Sequence, residues 1–412
     1  MTQLTVKPRS LKGVIHIPPS KSQTLRAILF ASLAKGNSVI NDPLKSPDAQ
    51  CMICACRQFG ASIEEREGEL FITGNGGVMT FHEGSVDCGN SGIVLRFCAA
   101  IAALGGAPVS FRGDDSLCRR PMHALGQALD SLGVHVDYQK KPGFAPLTIT
   151  GPITGEAVTL DGSDSQPVSA LLIVAALFAE DFEMIVTNPG EKPWVEMTLA
   201  WLRKLGVEVL CENYERYRIQ GKGWDGFSYT VPGDWSSAAF PIAAALVTRS
   251  ELTVTGLFPD FHQGDQKIMA ILESMGARFA WTENSLTVLP FDELKGIDID
   301  LNDCIDALPI LAVIACAAKG TTRLYNAAVA KTKECDRISC MARELGKMGA
   351  RIKEFDDGLL IEGGPLHGAG VESHGDHRMA MALAVAALAA QSETTIHNIA
   401  CIAKTYPNFF LL

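Results

Sequence analysis

The chain has 412 residues and a formal net charge of −10, with 47% hydrophobic and 20% charged residues. This composition excludes a disordered chain, and the acidity argues against nucleic acid or an anionic membrane surface as the main partner. The longest apolar runs, 307–318 and 379–390, hold about 12 residues each, fewer than the ~18 needed to cross a bilayer. Because the first ten residues lack an apolar signal core, we expect a cytoplasmic protein with reduced cysteines.

Five amphipathic helical patterns follow one another along the chain, and each ends at a glycine that opens a short strand. These glycines lie 73, 73, 70 and 73 residues apart. Glycine adopts the left-handed conformation that commonly ends a helix, so the spacing predicts an internal repeat. The five are Gly60, Gly133, Gly206, Gly276 and Gly349.

A second set of six helical patterns alternates with the first and is apolar on nearly every side, which predicts helices at the centre of a domain. Six units of about 70 residues exceed one core, so we expect an α/β fold of two domains with three units each. The expected bounds are 20–230 for one domain and 1–19 plus 231–412 for the other, with residues 1–17 completing the truncated sixth unit. The six patterns start at Lys21, Ser91, Ser165, Ser236, Asp306 and His377.

Polar and cationic residues gather where these apolar helices begin. A helix N-terminus attracts anions, and Lys or Arg there is not the residue that stability alone would favour. We therefore interpret Lys21, Arg26 and Arg378 as anion-binding residues. Asp306 and Glu334 are the carboxylates best placed for proton transfer beside them. No metal-ligand spacing, Walker loop or Rossmann fingerprint is present, so we expect no cofactor.

Structural roles are open for several of these residues when each is taken alone. Arg96 could pair with a carboxylate instead of a ligand, and Asp306 is a good helix N-cap. Glu334 and Asp336 could be ordinary acids in the first turn of a helix. The functional interpretation depends on the whole set.

Five segments resemble the 5-enolpyruvylshikimate-3-phosphate synthase family, in order and across essentially the whole chain. The resemblance implies a two-domain, inside-out αβ barrel with buried helices inside, sheets and amphipathic helices outside, and an active site in the interdomain cleft. It also implies a cofactor-independent enzyme of chorismate and aromatic amino acid biosynthesis that glyphosate targets. The segments are PSKS (19–22, with Arg26), GNSG (89–92, with Arg96), KECDR (333–337), DHRMA (376–380) and AKT (403–405), together with Arg120-Pro121.

The implied reaction transfers the carboxyvinyl group of phosphoenolpyruvate to the 5-hydroxyl of shikimate 3-phosphate, by addition and then elimination of phosphate. The resemblance makes Asp306 the base on the hydroxyl, Glu334 the group that protonates and deprotonates the methylene carbon, and Lys21 the donor to the departing phosphate. For phosphoenolpyruvate the implied binding residues are Lys21, Gly92, Arg120, Arg337, Arg378 and Lys404. For the shikimate substrate they are Ser22, Arg26, Ser165, Gln166 and Lys333, and Asn90 and His377 complete the substrate-binding set.

The chain departs from the family pattern around the expected shikimate phosphate site. Asp164 and Glu191 stand where serines are usual, and a carboxylate facing a phosphate would repel it by ~1 kcal/mol or more. We expect either that both point away or that affinity is weak. Ile93 and Phe97 are bulkier than is common beside the phosphoenolpyruvate pocket, which predicts reduced sensitivity to glyphosate.

Two alternatives come from different functional classes. A UDP-N-acetylglucosamine enolpyruvyl transferase shares the fold and carries a reactive cysteine several residues before an Arg-Pro pair, whereas Cys118 lies only two residues before Arg120. A non-catalytic anion-binding protein would gain nothing from carboxylates in its cleft. We expect a monomer whose partners are the two small substrates.

Overall fold

The structure, a computed structural model, describes residues 3–81, 84–177, 181–258 and 263–411. The chain forms two compact units. Unit N is Lys21–Val231, and unit C combines Met1–Ser20 with Pro232–Leu412. The chain therefore passes from one unit to the other twice, at residues 20–21 and 231–232.

The helices of the described residues are of two kinds, buried and amphipathic, that alternate along the chain. None is both long and apolar enough to span a membrane. They are α1 (Lys21–Leu33), α2 (Pro47–Gln58), α3 (Gly92–Ala102), α4 (His123–Ser131), α5 (Ser165–Ala175), α6 (Lys192–Lys204), α7 (Trp235–Val247), α8 (Ile268–Ser274), α9 (Leu308–Ala317), α10 (Arg337–Lys347) and α11 (His377–Leu388).

The strands are short, and many alternate buried and exposed residues, as expected for sheets with one face on a core. They are β1 (Gln3–Val6), β2 (Gly13–His16), β3 (Lys35–Asn41), β4 (Ser62–Arg66), β5 (Glu69–Asn75), β6 (Ser85–Asp87), β7 (Val109–Arg112), β8 (His135–Tyr138), β9 (Leu147–Thr150), β10 (Ala157–Asp161), β11 (Asp181–Thr187), β12 (Val209–Glu212), β13 (Arg216–Gln220), β14 (Ser228–Thr230), β15 (Leu252–Thr255), β16 (Arg278–Trp281), β17 (Ser285–Leu289), β18 (Asp298–Asp300), β19 (Thr321–Tyr325), β20 (Arg351–Phe355), β21 (Gly358–Glu362), β22 (Gly370–Glu372) and β23 (Thr394–His397).

Unit N contains three four-stranded sheets with one shared topology. Their strand orders are β14-β3-β5-β4, β6-β7-β9-β8 and β10-β11-β13-β12. In each sheet the first two strands are parallel and the remaining pairs are antiparallel. The parallel step in every sheet requires a crossover, and the buried helix supplies it in the second and third sheets.

Unit C repeats this topology with strands drawn from both ends of the chain. β18-β19-β21-β20 has the same order, and β2 is the parallel edge strand beside β15 in the sheet β16-β17-β15-β2. In the last sheet, β1-β23-β22, the edge strand β1 pairs antiparallel with β23 from Gln3↔His397 to Val6↔Thr394. The sequence predicts that residues 1–17 together complete a truncated sixth repeat, but only β1 joins the last sheet, and β2 joins the sheet of β15, β16 and β17.

The apolar helices lie in the cores of their own units. α7 buries twelve of its thirteen residues and α11 buries eleven of twelve. In unit C, α11 packs against α7 and α9, and the surrounding sheets complete one continuous hydrophobic core. The amphipathic helix α10 instead buries a stripe that includes Ile338, Met341 and Leu345. The sequence prediction of two helix classes is therefore confirmed.

Two predicted helix starts and one helix end need correction. The sequence pattern predicts that the fifth amphipathic helix opens at Lys331, but α10 begins at Arg337, because residues 328–332 form a short 3-10 turn and Asp336 caps the helix. Asp306 is not the N-cap of α9: the cap position is Ala307, which makes no side-chain cap bond. The apolar pattern that continues to residue 179 ends as helix at Ala175, and residues 178–180 lie outside the described residues.

Candidate active site

Four of the buried helices (α3, α5, α7 and α11) begin with a capping side chain, and α3 and α11 carry an arginine shortly after the cap. The carboxylate of Asp164 accepts a hydrogen bond from the amide of Gln166 at 2.9 Å, and that of Asp376 accepts one from the amide of Arg378 at 2.7 Å. Acidic caps offset the positive end of the helix dipole. The cations behind them are therefore positioned mainly by specific side-chain contacts.

In unit N, Arg26 of α1 is a buried cation with neutral partners. Its guanidinium donates to Thr198 Oγ1 at 3.0 Å, to the Trp194 carbonyl at 3.2 Å and to the Ser22 carbonyl at 3.3 Å. Burial lowers its pKa to about 9. Among the described residues no carboxylate pairs with it. A buried charge without an opposite charge is costly, so this position favours an anionic ligand.

Lys21 is the first residue of α1 and is mostly buried. Its Nζ lies 3.8 Å from Asp48 Oδ2, a long separation for an ion pair, with the two side chains 13% and 4% exposed. Lys21 thus precedes Arg26 by five residues in the same helix, and its ammonium group lies near the Asp48 carboxylate. This arrangement suits a side chain that binds an anion or transfers a proton to one.

Gly92 opens α3 where four polar side chains converge, and we call this group the Gly92 cluster (Gly92, Asn90, Arg96, Arg120 and Gln166). Arg96 Nη1 donates to Gln166 Oε1 at 3.0 Å, and Arg120 Nη2 donates to Asn90 Oδ1 at 2.7 Å. A Cβ on residue 92 would lie 2.8 Å from Arg96 Nη1 and 3.2 Å from Gln166 Oε1. A side chain at residue 92 would therefore force the Arg96 guanidinium to shift.

The structure shows which groups Arg96 contacts, and which groups the two unusual carboxylates Asp164 and Glu191 contact. Arg96 Nη2 lies 3.4 Å from Asp164 Oδ2, so this arginine does pair with a carboxylate. Glu191, buried and left-handed at φ 46°, turns toward Ser165. Its Oε2 accepts from the Ser165 amide at 3.0 Å and from the Ser165 hydroxyl at 2.9 Å. Both carboxylates are thus engaged by protein groups, and Glu191 occupies the hydroxyl expected to hold the phosphate. Whether they weaken phosphate binding stays a prediction.

In unit C, Arg337 is the centre of what we call the Arg337 cluster (Asp306, Glu334, Arg337, Asp376, Arg378 and Lys404). The arginine is 1% exposed and contacts three carboxylates at once. Nε donates to Asp376 at 2.7 Å, Nη1 to Asp306 at 2.6 Å and Nη2 to Glu334 at 2.9 Å. Three charge-assisted bonds fix the guanidinium plane and hold the segments before α9, α10 and α11 together.

Two further cations complete the Arg337 cluster. Arg378 Nη2 lies 2.9 Å from the second oxygen of Asp306, and Lys404 Nζ donates to Glu334 Oε1 at 2.6 Å. Asp306 and Glu334 thus each bridge two cations. Their side chains remain 22% and 9% exposed, so both can be approached from outside.

Charge rather than burial controls the ionisation of Asp306. Burial acts to raise its pKa, but Arg378, Arg337 and Lys333 hold that pKa well below its usual range. Asp306 is therefore an anion at neutral pH. Anionic ligands that drew Arg378 or Arg337 away would restore the basicity of this carboxylate.

Asp265 beside this cluster was missed by sequence reasoning. It lies in a 3-10 turn before α8, is 1% exposed, and accepts a hydrogen bond from Ser236. Burial raises its pKa to about 7, with Arg378, 3.7 Å away, opposing the rise and Asp306 adding to it. The segment carries no repeat position or charge pattern that distinguishes it, so the sequence offers no signal for its role.

The structure divides the predicted residues between the two units, and within each unit most of them come together. His377 is the first residue of α11, is buried, and lies 3.8 Å from Asp376. The described residues hold no group of three or more His, Cys, Asp or Glu placed to bind a metal ion. Unit N contains Lys21, Ser22, Arg26, Asn90, Gly92, Arg120, Ser165 and Gln166, and unit C contains Asp306, Lys333, Glu334, Arg337, His377, Arg378 and Lys404.

Comparison with solved structures defines the class of protein. EPSP synthase from Acinetobacter baumannii is similar at a TM-score of 0.82 with 28% identity, covering 99% of this chain and 97% of that one. The enolpyruvyl transferase NikO from Streptomyces tendae matches at 0.80 with 20% identity, covering 100% and 96%, which shows the fold alone. The molecule therefore has the mixed α/β fold of enolpyruvyl transferases.

Sequence comparison narrows this class to one family. The sequence model of EPSP synthase (3-phosphoshikimate 1-carboxyvinyltransferase) matches residues 6–411. Relatives named 3-phosphoshikimate 1-carboxyvinyltransferase are 42% identical in Chlamydia caviae and 43% identical in Chlamydia pneumoniae, each over 99% of this chain and 92% of the relative. The chain belongs to the EPSP synthase family.

Proposed function

We propose that this chain is an enzyme that transfers the carboxyvinyl group of phosphoenolpyruvate to the 5-hydroxyl of shikimate 3-phosphate and releases phosphate. Family membership and the full-length relatives named for this activity support the proposal. The observation that carries it is the Arg337 cluster, where two accessible carboxylates are each held between two cations. A carrier of anions needs the cations but has no use for the carboxylates, whereas acid–base chemistry on an anion needs both.

The addition step requires one base and one acid. We propose that Asp306 takes the proton of the 5-hydroxyl, so that its oxygen forms a bond to C2 of phosphoenolpyruvate. Glu334 gives a proton to the methylene carbon C3, which becomes a methyl group. The product is a tetrahedral ketal phosphate. Removal of Arg378 or Arg337 from Asp306 by the bound anions would raise the pKa of this base at the moment that it is needed.

The elimination step reverses the proton transfer at carbon. Glu334 takes a proton back from C3, the C2–C3 double bond forms again, and the bond from C2 to the phosphate oxygen breaks. We propose that Lys21 protonates the departing phosphate. Lys404, 2.6 Å from Glu334 Oε1, stabilises the carboxylate form of Glu334 between the two steps.

The remaining cations divide between the two anions. We propose that Lys21, Gly92, Arg120, Arg337, Arg378 and Lys404 bind phosphoenolpyruvate and that Ser22, Arg26, Ser165, Gln166 and Lys333 bind shikimate 3-phosphate, with Asn90 and His377 supporting them. Arg26 is the best supported of the second group, because its protein partners are all neutral. Ser165 is available to the phosphate only if its hydroxyl leaves Glu191.

The finer architecture belongs to the same proposal. We propose six repeats in an inside-out arrangement, and one active site in an interdomain cleft stays a prediction from the sequence. The shared strand order of the sheets supports the repeat. A monomeric state, a cytoplasmic location and reduced sensitivity to glyphosate stay predictions from the sequence.

The test is phosphate release from purified protein supplied with both substrates or with either one. Release that requires both substrates, together with formation of a carboxyvinyl product, supports the proposed transfer. Binding of both anions without release would instead identify a non-catalytic anion-binding protein. Release that requires UDP-N-acetylglucosamine in place of shikimate 3-phosphate would assign the other transferase activity.

Cys118 gives a second discriminator between the two transferases. It lies in the 3-10 turn Leu117–Arg119, and its thiol faces the Gly113 carbonyl at 3.5 Å. A Cys118→Ser variant should keep full phosphate release with shikimate 3-phosphate. A loss of turnover in this variant would give the thiol a catalytic role that the proposed reaction does not contain.

A further inference from the structure

Two cysteines flank the start of α10, five residues apart. Asp336 is the N-cap of this helix, and its Oδ1 accepts from the amides of Ile338 and Ser339, both at 3.1 Å. Cys335 therefore precedes the cap and Cys340 is the fourth residue of the helix. Side chains at these two positions commonly pack against each other and fix the entry of the chain into the helix. The helix start thus brings two thiols together.

The surroundings of the two thiols differ in a way that suits oxidation. Cys340 is 7% exposed and accepts from Arg343 Nη2 at 3.5 Å, whereas Cys335 is half-buried and donates to Asp376 at 3.9 Å. Hydrogen bonding from Cys335 lowers the pKa of Cys340; burial opposes this and Arg343 adds to it. The same thiol–thiol interaction, together with burial, raises the pKa of Cys335. The interaction therefore favours Cys340 over Cys335 as the nucleophile of the pair.

The position of Cys335 connects this pair to the Arg337 cluster. It stands between Glu334, which bonds Arg337 and Lys404, and the cap residue Asp336. A disulfide requires a sulfur–sulfur distance of about 2.0 Å, which is well inside van der Waals contact. Bringing the two sulfurs to bonding distance would draw the 334–336 backbone toward the first turn of α10 and displace the Glu334 carboxylate.

We propose that Cys335 and Cys340 form a reversible disulfide on exposure to hydrogen peroxide and that this bond lowers turnover. The proposal goes beyond the transfer reaction, since it assigns an oxidation site. In the first step the Cys340 thiolate attacks one peroxide oxygen, the O–O bond breaks and hydroxide leaves, giving a sulfenic acid. In the second the Cys335 sulfur attacks that sulfur, the S–O bond breaks and water leaves. Two thiols and one peroxide thus give one disulfide and two waters.

The chain itself provides a direct readout of the bond. Trypsin cleaves after Lys333, Arg337 and Arg343, so a disulfide between the two cysteines would link peptide 334–337 to peptide 338–343. Peroxide-treated protein, alkylated and then digested without reductant, should give this linked pair by mass spectrometry. Dithiothreitol should separate it. The readout does not depend on the activity proposed for the enzyme.

Turnover measured on the same samples tests the consequence. Phosphate release should fall several-fold with formation of the linked peptides and return with dithiothreitol. Cys340→Ser and Cys335→Ser should each keep their own untreated rate after peroxide, while Cys54→Ser, which removes an exposed thiol of unit N, should lose activity as the parent does. Absence of the linked peptides, or equal inactivation of Cys340→Ser, would overturn the oxidation site. A disulfide that forms without loss of turnover would overturn its control of the reaction.

Discussion

Two buried arginines illustrate two ways of holding a cation inside a protein. Arg337 is compensated by three carboxylates, whereas the acceptors of Arg26 within the described parts of the chain are all neutral. Removal of one partner from a compensated set leaves an uncompensated buried charge, which destabilises the fold. A buried cation without carboxylate partners is better stabilised by binding an anionic ligand. In the proposed function, the Arg337 cluster supplies the groups for proton transfer, and Arg26 binds an anion.

Glu334→Gln should lower turnover by roughly 10²-fold. Glutamine keeps the shape of the side chain and can still accept a bond from Lys404 or Arg337, but it cannot take a proton from carbon. The rate of phosphate release at saturating concentrations of both substrates measures the effect.

The matched control for this variant is Glu362→Gln, since Glu362 is an exposed carboxylate of unit C, paired with Arg351. It should leave the rate unchanged. If Glu334→Gln released phosphate at the parental rate, proton transfer at the methylene carbon would have to be reassigned to another group.

Asp265→Asn should change how stability depends on pH. Burial raises the pKa of Asp265 to about 7, whereas an unfolded aspartate titrates near ~3.9. Between these values the folded state binds a proton that the unfolded state lacks, so the contribution of this group to stability falls as pH rises from ~4 to ~7. Because asparagine does not ionise, the variant does not lose stability in this way as the pH rises.

Calorimetry of ligand-free protein at pH 5 and pH 8 measures this effect. The unfolding temperature of Asp265→Asn, relative to the parent, should be higher at pH 8 than at pH 5. Asp292→Asn, which changes an exposed carboxylate of the same unit, is the control. A difference for Asp265→Asn that is equal at both pH values would show that Asp265 ionises in the folded state as it does in the unfolded chain.

Residue types at helix starts were predictable from sequence, but their partners were not. Lys21, Arg26 and Arg378 stood out because the helix dipole disfavours cations at these places. The engagement of Ser165 by Glu191 depends on a left-handed backbone at residue 191 and on contact across 26 positions. The burial of Asp265 depends on α7 and α11, far away in sequence. Neither contact leaves a periodic signal.

At the scale of elements, the glycine spacing was the most informative sequence feature. All five predicted helix-ending glycines have positive φ, from 77° at Gly206 to 105° at Gly276. Helix starts were less predictable, because 3-10 turns precede α8, α9 and α10 and their side chains resemble helical first turns. A glycine requirement is local, whereas the choice between a 3-10 turn and an α-helix depends on packing.

Gly206→Ala should destabilise unit N by ~1 kcal/mol, because alanine must take a left-handed conformation there. Among the described residues no atom lies within 4 Å of its Cβ position, so backbone strain is the only added cost. Gly346→Ala is the matched comparison: it is also open, but lies in α10 without a positive φ. That change should be neutral or stabilising by up to ~1 kcal/mol. Urea unfolding, followed separately for each unit, measures the change in stability for each variant. If both variants changed stability equally, the positive φ of Gly206 would not explain the effect.

At the scale of the whole molecule, chain ends and middle are interleaved in a way that local sequence does not specify. β1 closes a sheet with β23, and β2 joins β15, more than 230 positions away. The sequence indicated that an additional strand was needed near the end, because the sixth unit is truncated. It did not indicate how residues 3–16 divide between two sheets, since strand pairing over such distances is decided by packing.

If both clusters serve one active site, a pair of ligands should protect both units together. Shikimate 3-phosphate with glyphosate, an unreactive analogue of the second substrate, should slow amide hydrogen exchange at the start of α1 in unit N and at residues 333–340 in unit C. A ligand that binds only the native state adds its binding free energy to the cost of opening every segment that it contacts. The strands β12 and β13, which carry no predicted site residue, are the internal control and should exchange unchanged. Protection confined to one unit would mean that the two clusters bind anions independently, and the single-site prediction would then fail even if phosphate release were observed.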